Sequence, residues 1–154
     1  MRLTAANTHR PRPLPPAVLF LALLLPLLAA ACSQDKVLQG ADQFAVLAYS
    51  EPITDNLLQG LNQRDYAAFS KDFDSQMKSA ITPAAFQSQV IGNVSAKIGN
   101  YISRQVTQVT QKGDQVTLIY TARFDKDPGV IITLTLTAGT PHQVSGLYFH
   151  PSGQ

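Results

Sequence analysis

Cysteine is almost absent from this chain: its 154 residues hold one, Cys32. A single thiol excludes an internal disulfide framework and every multi-cysteine zinc or iron–sulfur site. Histidine is scarce too, with three residues placed too far apart for a metal-binding tract. Charged side chains make up only 14%, and Glu51 is the single glutamate. Gly92, Gly99 and Gly113 stand isolated, so no glycine-rich phosphate loop forms and no cofactor is implied. Hydrophobic residues, by contrast, reach 45%, which excludes general disorder and fits one domain of ordinary size.

What is present begins with a targeting segment, residues 1–31. Arg2, Arg10 and Arg12 supply a positive start, and the run from Ala17 to Ala31 carries no charge. That run is 15 residues long and broken by Pro26, where a membrane-spanning helix needs about 20. A positive start, a short apolar middle and a small-residue end is the layout of an export signal. The end, Leu28-Ala29-Ala30-Ala31-Cys32, resembles the bacterial lipobox. That resemblance implies a diacylglyceryl group on the Cys32 thiol and cleavage that leaves Cys32 as first residue. The chain is then held to a membrane on the extracytoplasmic face of the cell envelope. Lipoboxes usually place Leu where Ala29 stands, and Ala29-x-Ala31 also fits ordinary signal-peptidase cleavage to a secreted protein. An uncleaved anchor is a third outcome; the lone Cys at the cleavage motif favours lipidation. Each buried methylene contributes about 0.8 kcal/mol, so two acyl chains anchor stably without a spanning helix. Ser33, rather than Asp, follows the Cys, which leaves inner and outer membrane both open.

Residues 1–31 hold three Arg and no acid, so without them the formal charge passes from +2 to −1. The remaining cations are spread singly from Lys36 to Lys126. Nucleic-acid binding needs clustered cations to meet phosphates, and here it has no support.

Residues 32–49 read as the lipidated Cys and a tether, with an apolar stretch at Phe44–Ala48 that can begin a helix early. A single domain then spans 50–154. Ser50-Glu51-Pro52 is a helix-start signal, followed by Ile53, Leu57 and Leu61 at four-residue spacing to a stop near Asn62. Asp65 caps a second, short helix carrying Tyr66 and Phe69 and able to extend to Phe73. Thr82-Pro83 opens a third, in which Phe86, Val90, Val94 and Ile98 recur every four residues until Gly99-Asn100. Beyond Tyr101 the period becomes two, over strands 101–110, 115–124, 130–137 and 143–150. Turns such as Lys112-Gly113-Asp114 and Asp127-Pro128-Gly129 separate them, so neighbouring strands are antiparallel hairpins. The expectation is an α+β domain: three N-terminal helices packed on one face of a four-stranded antiparallel sheet, the other face Thr-rich.

The stretch from Asp55 to Phe73 resembles the opening of a bacterial domain-of-unknown-function family, numbered 3887. Met77, the Phe86 helix, the Gly99-Asn100-Tyr101 junction and the ending Val144–Phe149 extend the likeness over roughly 50–150. The resemblance implies a cone-like fold of the nuclear-transport-factor-two-like (cystatin-like) superfamily, whose curved sheet wraps a helix and leaves a pocket. Across that superfamily the pocket serves isomerases, dehydratases and ligand binders, so the fold does not give the activity.

Enzymes of that fold generally pair an Asp or His base with a Tyr or a second acid. The candidates are few. His142 follows Pro141 in a turn and reads as exposed and inert. His150 closes the last strand in parity with Tyr148, at a pocket mouth or at a solvated end. Asp72 and Asp74 flank Phe73, where caps and turns explain them. Glu51 reads as part of a helix cap. Tyr66, Phe69, Tyr120 and Phe124 are the candidates for a partly apolar ligand pocket, with Tyr101 and Tyr148 as further aromatics. The expectation is an exported, lipid-anchored, non-catalytic domain that binds a small apolar ligand or a protein partner. The alternatives are a pocket enzyme with His150 or Asp72 as base, and a module that dimerises through its Thr-rich face.

Overall fold

Helical spacing gives way to strand alternation at Gly99, and the architecture turns on that switch. The computed structural model describes residues 35–153. A short strand, β1 (Lys36–Val37), is followed by helices α1 (Gly40–Gln63), α2 (Tyr66–Phe69) and α3 (Ser75–Ala80). Next comes a helical rod over 83–98, made of α4 (Pro83–Ala85), a π-helix (Phe86–Ser95) and α5 (Ala96–Ile98). Strands β2 (Tyr101–Lys112), β3 (Gln115–Phe124), β4 (Val130–Thr137) and β5 (Val144–His150) complete the chain. The fold is α+β, with one antiparallel sheet of five strands in sequence order.

Five strands replace the four expected. The additional one, β1, holds two residues, too few for any alternation to be read, and it exists by pairing Lys36 with Gln111 and Val37 with Thr110. Residues 36–49, read from the sequence as tether, are therefore part of the domain: Leu38 is buried and α1 is already under way at Gly40. The start signal at Ser50-Glu51-Pro52 lies inside this 24-residue helix, with Ser50 fully buried rather than capping it. Pro52 removes one N–H and crowds the carbonyl four residues back, at about 3 kcal/mol in a helix interior. Burial of Val46, Leu57, Leu58 and Leu61 along the same helix offsets that cost.

The connections follow their chemistry. Arg64 takes a left-handed conformation (φ 57°) and closes α1. A Cβ on Gly60 would collide with the Phe69 backbone nitrogen, so glycine is what lets α2 approach α1 this closely. Asp65 caps α2 by accepting from the Ala67 and Ala68 amides at 2.8 and 3.3 Å. Asp74 does the same for the unexpected α3, accepting from the Met77 amide at 2.7 Å. Thr82 caps the rod by accepting from the Ala85 amide at 3.2 Å.

The π-helix has a sequence rationale. In an α-helix of 3.6 residues per turn, a four-residue spacing drifts by about 40° at each step. The stripe Phe86, Val90, Val94, Ile98 would walk off the core along a pure α-helix. A wider turn, bonded five residues back, drifts in the opposite sense, and along the mixed rod Phe86, Val90 and Ile98 stay buried.

β3 alternates as expected, with Val116, Leu118, Tyr120, Ala122 and Phe124 all buried. In β4, Val130, Ile132, Leu134 and Leu136 do the same while Thr133, Thr135 and Thr137 face outward. β5 is different. Thr135 pairs with Gly146 and Leu136 with Val144, so Ser145 is an extra residue that flips the parity of the rest of the strand. Val144 points into the core before it, and Leu147 and Phe149 pack against the core after it.

Candidate functional site

The rod and β5 do not close against each other. Between them lies a cavity of about 250 Å³. Its floor is Phe69, one wall is Ala85, Val90 and Val94 of the rod with Ile81, and the other is Leu147, Tyr148 and Phe149 of β5. Gln89 is its single amide side chain. A smaller cavity of about 120 Å³ shares Val94 and Phe149 and adds Asn93, Lys97 and Pro151. Tyr148 stands at the lip, 63% exposed. This is a mostly apolar groove with few polar groups, of the kind that takes apolar ligands or side chains.

A third cavity, about 300 Å³, sits where α1, the end of the rod and the start of β2 meet. Asn62, Asn100 and Lys126 in its lining are already engaged, whereas the buried Ser95 hydroxyl has no partner among the described residues. Asn62 exchanges two hydrogen bonds with the Tyr101 backbone, at 2.8 and 2.9 Å. Asn100 donates to Asp125, and the Lys126 ammonium donates to the Ala96 carbonyl at 3.1 Å. Here Gly99 takes φ 86°, and a Cβ on it would strike the Asp125 carboxylate.

Between α1 and the strands β2 and β3 is a charged cluster. The Arg104 guanidinium, 7% exposed, meets Glu51 at 2.5 Å and Asp55 at 2.7 Å. It also donates to the Tyr101 hydroxyl at 3.1 Å and lies 5.4 Å from the centre of the Tyr120 ring. Tyr120 in turn donates to Glu51 at 3.0 Å and lies 3.3 Å from the Thr54 hydroxyl. Burial works against the Arg104 charge, but Asp55, Glu51 and Tyr101 outweigh it, so the guanidinium holds its proton more tightly than usual. Burial, opposed by Thr54 and aided by the Glu51 charge, pushes the Tyr120 hydroxyl up to about 12. None of the three cavities borders this cluster. Apart from the Arg104 Nε, which is buried without a partner among the described residues, its groups satisfy one another, and its effect is to bind α1 to β2 and β3.

The four residues expected to line one pocket are divided between sites. Phe69 forms the groove floor, while Tyr66 packs on Phe86 and donates its hydroxyl to the Ile81 carbonyl at 2.8 Å. Tyr120 belongs to the Arg104 cluster, and Phe124 is fully buried between Tyr101 and Phe149. His150 and Tyr148 share the outer, exposed side of the sheet, with ring centres 6.3 Å apart. His142, expected to be exposed, stacks flat on Tyr49 at 3.6 Å. Asp72 accepts a long 3.4 Å bond from Asn56, and Asp74 is committed to its cap. Thus no His, Asp or Glu borders any of the three cavities.

Two sets of residues escape a reading of the sequence. Glu51 looks locally like a cap residue, yet it joins Arg104 across 53 positions, a pairing with no local signature. The groove wall at Ala85, Val90 and Val94 is legible as the apolar face of the third helix, but not that part of this face stays uncovered. Cys32, the expected lipidation site, lies outside the described residues. Among the described residues, no helix is long and apolar enough to cross a membrane, and no cluster of three or more His, Cys, Asp or Glu is placed to hold a metal ion. Searches against protein-family models, curated proteins and solved structures return no match to this chain.

Proposed function

We propose that this chain is an exported, lipid-anchored, non-catalytic binding domain whose site is the groove between the rod and β5. The observation that carries the reading is the groove itself: a cavity of about 250 Å³ walled by aliphatic and aromatic side chains on two rigid elements. Acid–base chemistry would need a titratable group within hydrogen-bond reach of a bound substrate. His150 on the outer face and Asp72, which borders none of the three cavities, give that alternative no support. The helix-then-meander order and the likeness over 50–150 support a cystatin-like cone, with the groove on its helical side. The lipobox-like Leu28–Cys32 supports attachment to the envelope membrane through a diacylglyceryl group on Cys32.

Two measurements test this. Native mass spectrometry of the chain purified from its own host should show a co-purifying apolar ligand or peptide, and Val94→Asp should abolish that adduct. Mass spectrometry of the mature N-terminus should find Cys32 first and carrying a diacylglyceryl mass. An unmodified thiol there, or an intact Met1, would refute the anchor.

A further inference from the structure

We infer that the occupant of the groove is an extended peptide segment of a partner protein, which pairs with β5 as a sixth strand. The inference rests on the groove being the binding site and specifies what it binds. Three consecutive residues, Leu147, Tyr148 and Phe149, border the larger cavity. Side chains alternate across a strand, so one face could supply only every second residue. A cavity touching three in a row runs along the strand edge, where the backbone N–H and C=O groups lie.

That edge is open. β5 is the last strand of the sheet, paired with β4 alone. Among the described residues, backbone pairing on its outer side comes only from the segment 72–74 and only at Val144: the Val144 amide donates to the Asp72 carbonyl at 2.8 Å, and the Asp74 amide donates to the Val144 carbonyl at 3.0 Å, while α3 packs beside the strand without a backbone hydrogen bond to it. Past that point every second residue of an edge strand turns its donor and acceptor outward. Natural edges are normally blunted by Lys, by Pro or by extreme shortness. β5 has seven residues with no Pro, Lys, Arg, Asp or Glu among them.

The groove also fits the side chains of such a strand. An added chain would place alternate residues against Ala85, Val90 and Val94, where apolar groups are matched. The one formally charged side chain bordering either cavity is Lys97, next to Pro151 at the far end of β5. The partner segment is therefore apolar at alternate positions and carries a carboxylate at its Lys97 end, from an acidic side chain or from its own C-terminus. A second copy of this chain fits less well. Its Leu147 and Phe149 are already packed against its own core, so its β5 brings backbone hydrogen bonds but nothing to fill the groove.

The test uses the full chain in detergent. The probe is a pool of heptapeptides in which Thr alternates with Val, Leu, Ile, Phe or Tyr. Each is made with a free C-terminus, with an amidated one, and amidated with Glu in last place. The expected result is micromolar binding by pool members, with slowed hydrogen exchange at the amides of residues 146–150. Val94→Asp should weaken binding by at least about tenfold. Peptides bearing a carboxylate should bind about two- to fivefold more tightly than the plain amides, and Lys97→Glu, on an exposed helix position, should remove that preference. A preference shown by the Glu amides supports a side-chain carboxylate, and one confined to the free acids supports the C-terminus. Absence of any such preference would overturn the role given to Lys97. Absence of peptide binding, binding without protection at 146–150, or binding indifferent to Val94→Asp would each overturn the whole inference. Protection that grows with protein concentration in the absence of peptide would overturn it in favour of a second copy. An apolar dye such as anilinonaphthalene sulfonate separates the two readings. If wild type binds the dye, Val94→Asp does not and no peptide pairs, the groove remains a binding site and only the peptide is wrong. If neither probe binds, both readings fall.

Discussion

The two edges of this sheet are finished in opposite ways. On the β2 side, β1 covers Thr110 and Gln111, and the Leu38 amide bonds the Val109 carbonyl at 2.8 Å. At the other end of β2 the Asn62 side chain takes both backbone groups of Tyr101, acting as a one-residue strand. Register breaks after Tyr101 and after Val106 disturb the stretch between them, and the Arg104 cluster fastens it to α1. On the β5 side, 72–74 closes only Val144. One edge commits its side chains to being closed, and the other leaves an apolar channel beside unpaired backbone. The lesson is that polar fastening and an open apolar groove are segregated within one small sheet.

Substitutions on the two sides should therefore fail in different assays. The largest stability loss is expected from Arg104→Ala. Breaking a buried ion pair costs about 3–5 kcal/mol when the partners stay buried. Glu51 and Asp55 are 40% and 53% exposed and can rehydrate, so about 3 kcal/mol is expected in urea unfolding. Tyr120→Phe comes next, at about 1 kcal/mol for the lost bonds to Glu51 and Thr54. The same hydroxyl sets an alkaline limit. Its pKa is raised to about 12 in the folded chain, against about 10 unfolded. Its contribution is thus full below about pH 10 and fades as pH climbs toward 12, and Tyr120→Phe should flatten that part of the stability curve.

On the open side, Val94→Asp should change folding stability by less than about 1 kcal/mol, because Val94 is only half-buried, while abolishing groove binding. An equal loss of stability for Val94→Asp and Arg104→Ala would erase the contrast between the edges. The smallest effect is expected from Asp127→Asn. The Asp127 carboxylate accepts from the Ser152 hydroxyl and amide and from the Gly129 amide, and these bonds hold its pKa below the usual range. A depressed folded pKa contributes stability above the ordinary Asp value of about 3.9 and loses it as pH falls below that. The difference between wild type and Asp127→Asn should accordingly shrink with acid, and exchange at the Ser152 amide should report it.

How far the fold and the groove can be read from the residues depends on whether the signal is local. β3 and β4 are plain because one buried face imposes strict alternation, from Val116 to Phe124 and from Val130 to Leu136. The caps at Asp65 and Thr82 are plain because a cap acts over three residues. β1 is not, because two residues carry no period and only β2 makes them a strand. Ser50-Glu51-Pro52 misleads because a start signal is decided by the residues before it, and those already form helix. The groove depends on the extra residue at Ser145, which decides that Leu147 and Phe149, rather than Tyr148 and His150, turn toward the helices.

Leverage is the other consequence of where β1 lies. The described chain enters the domain at Asp35 and becomes, at Lys36, the strand at the closed margin of the sheet. Four strand spacings of about 4.8 Å separate that margin from β5, roughly 19 Å across. A pull applied at residue 35 therefore loads the β1–β2 pairing first. The edge of β5 lies across the sheet and is loaded last.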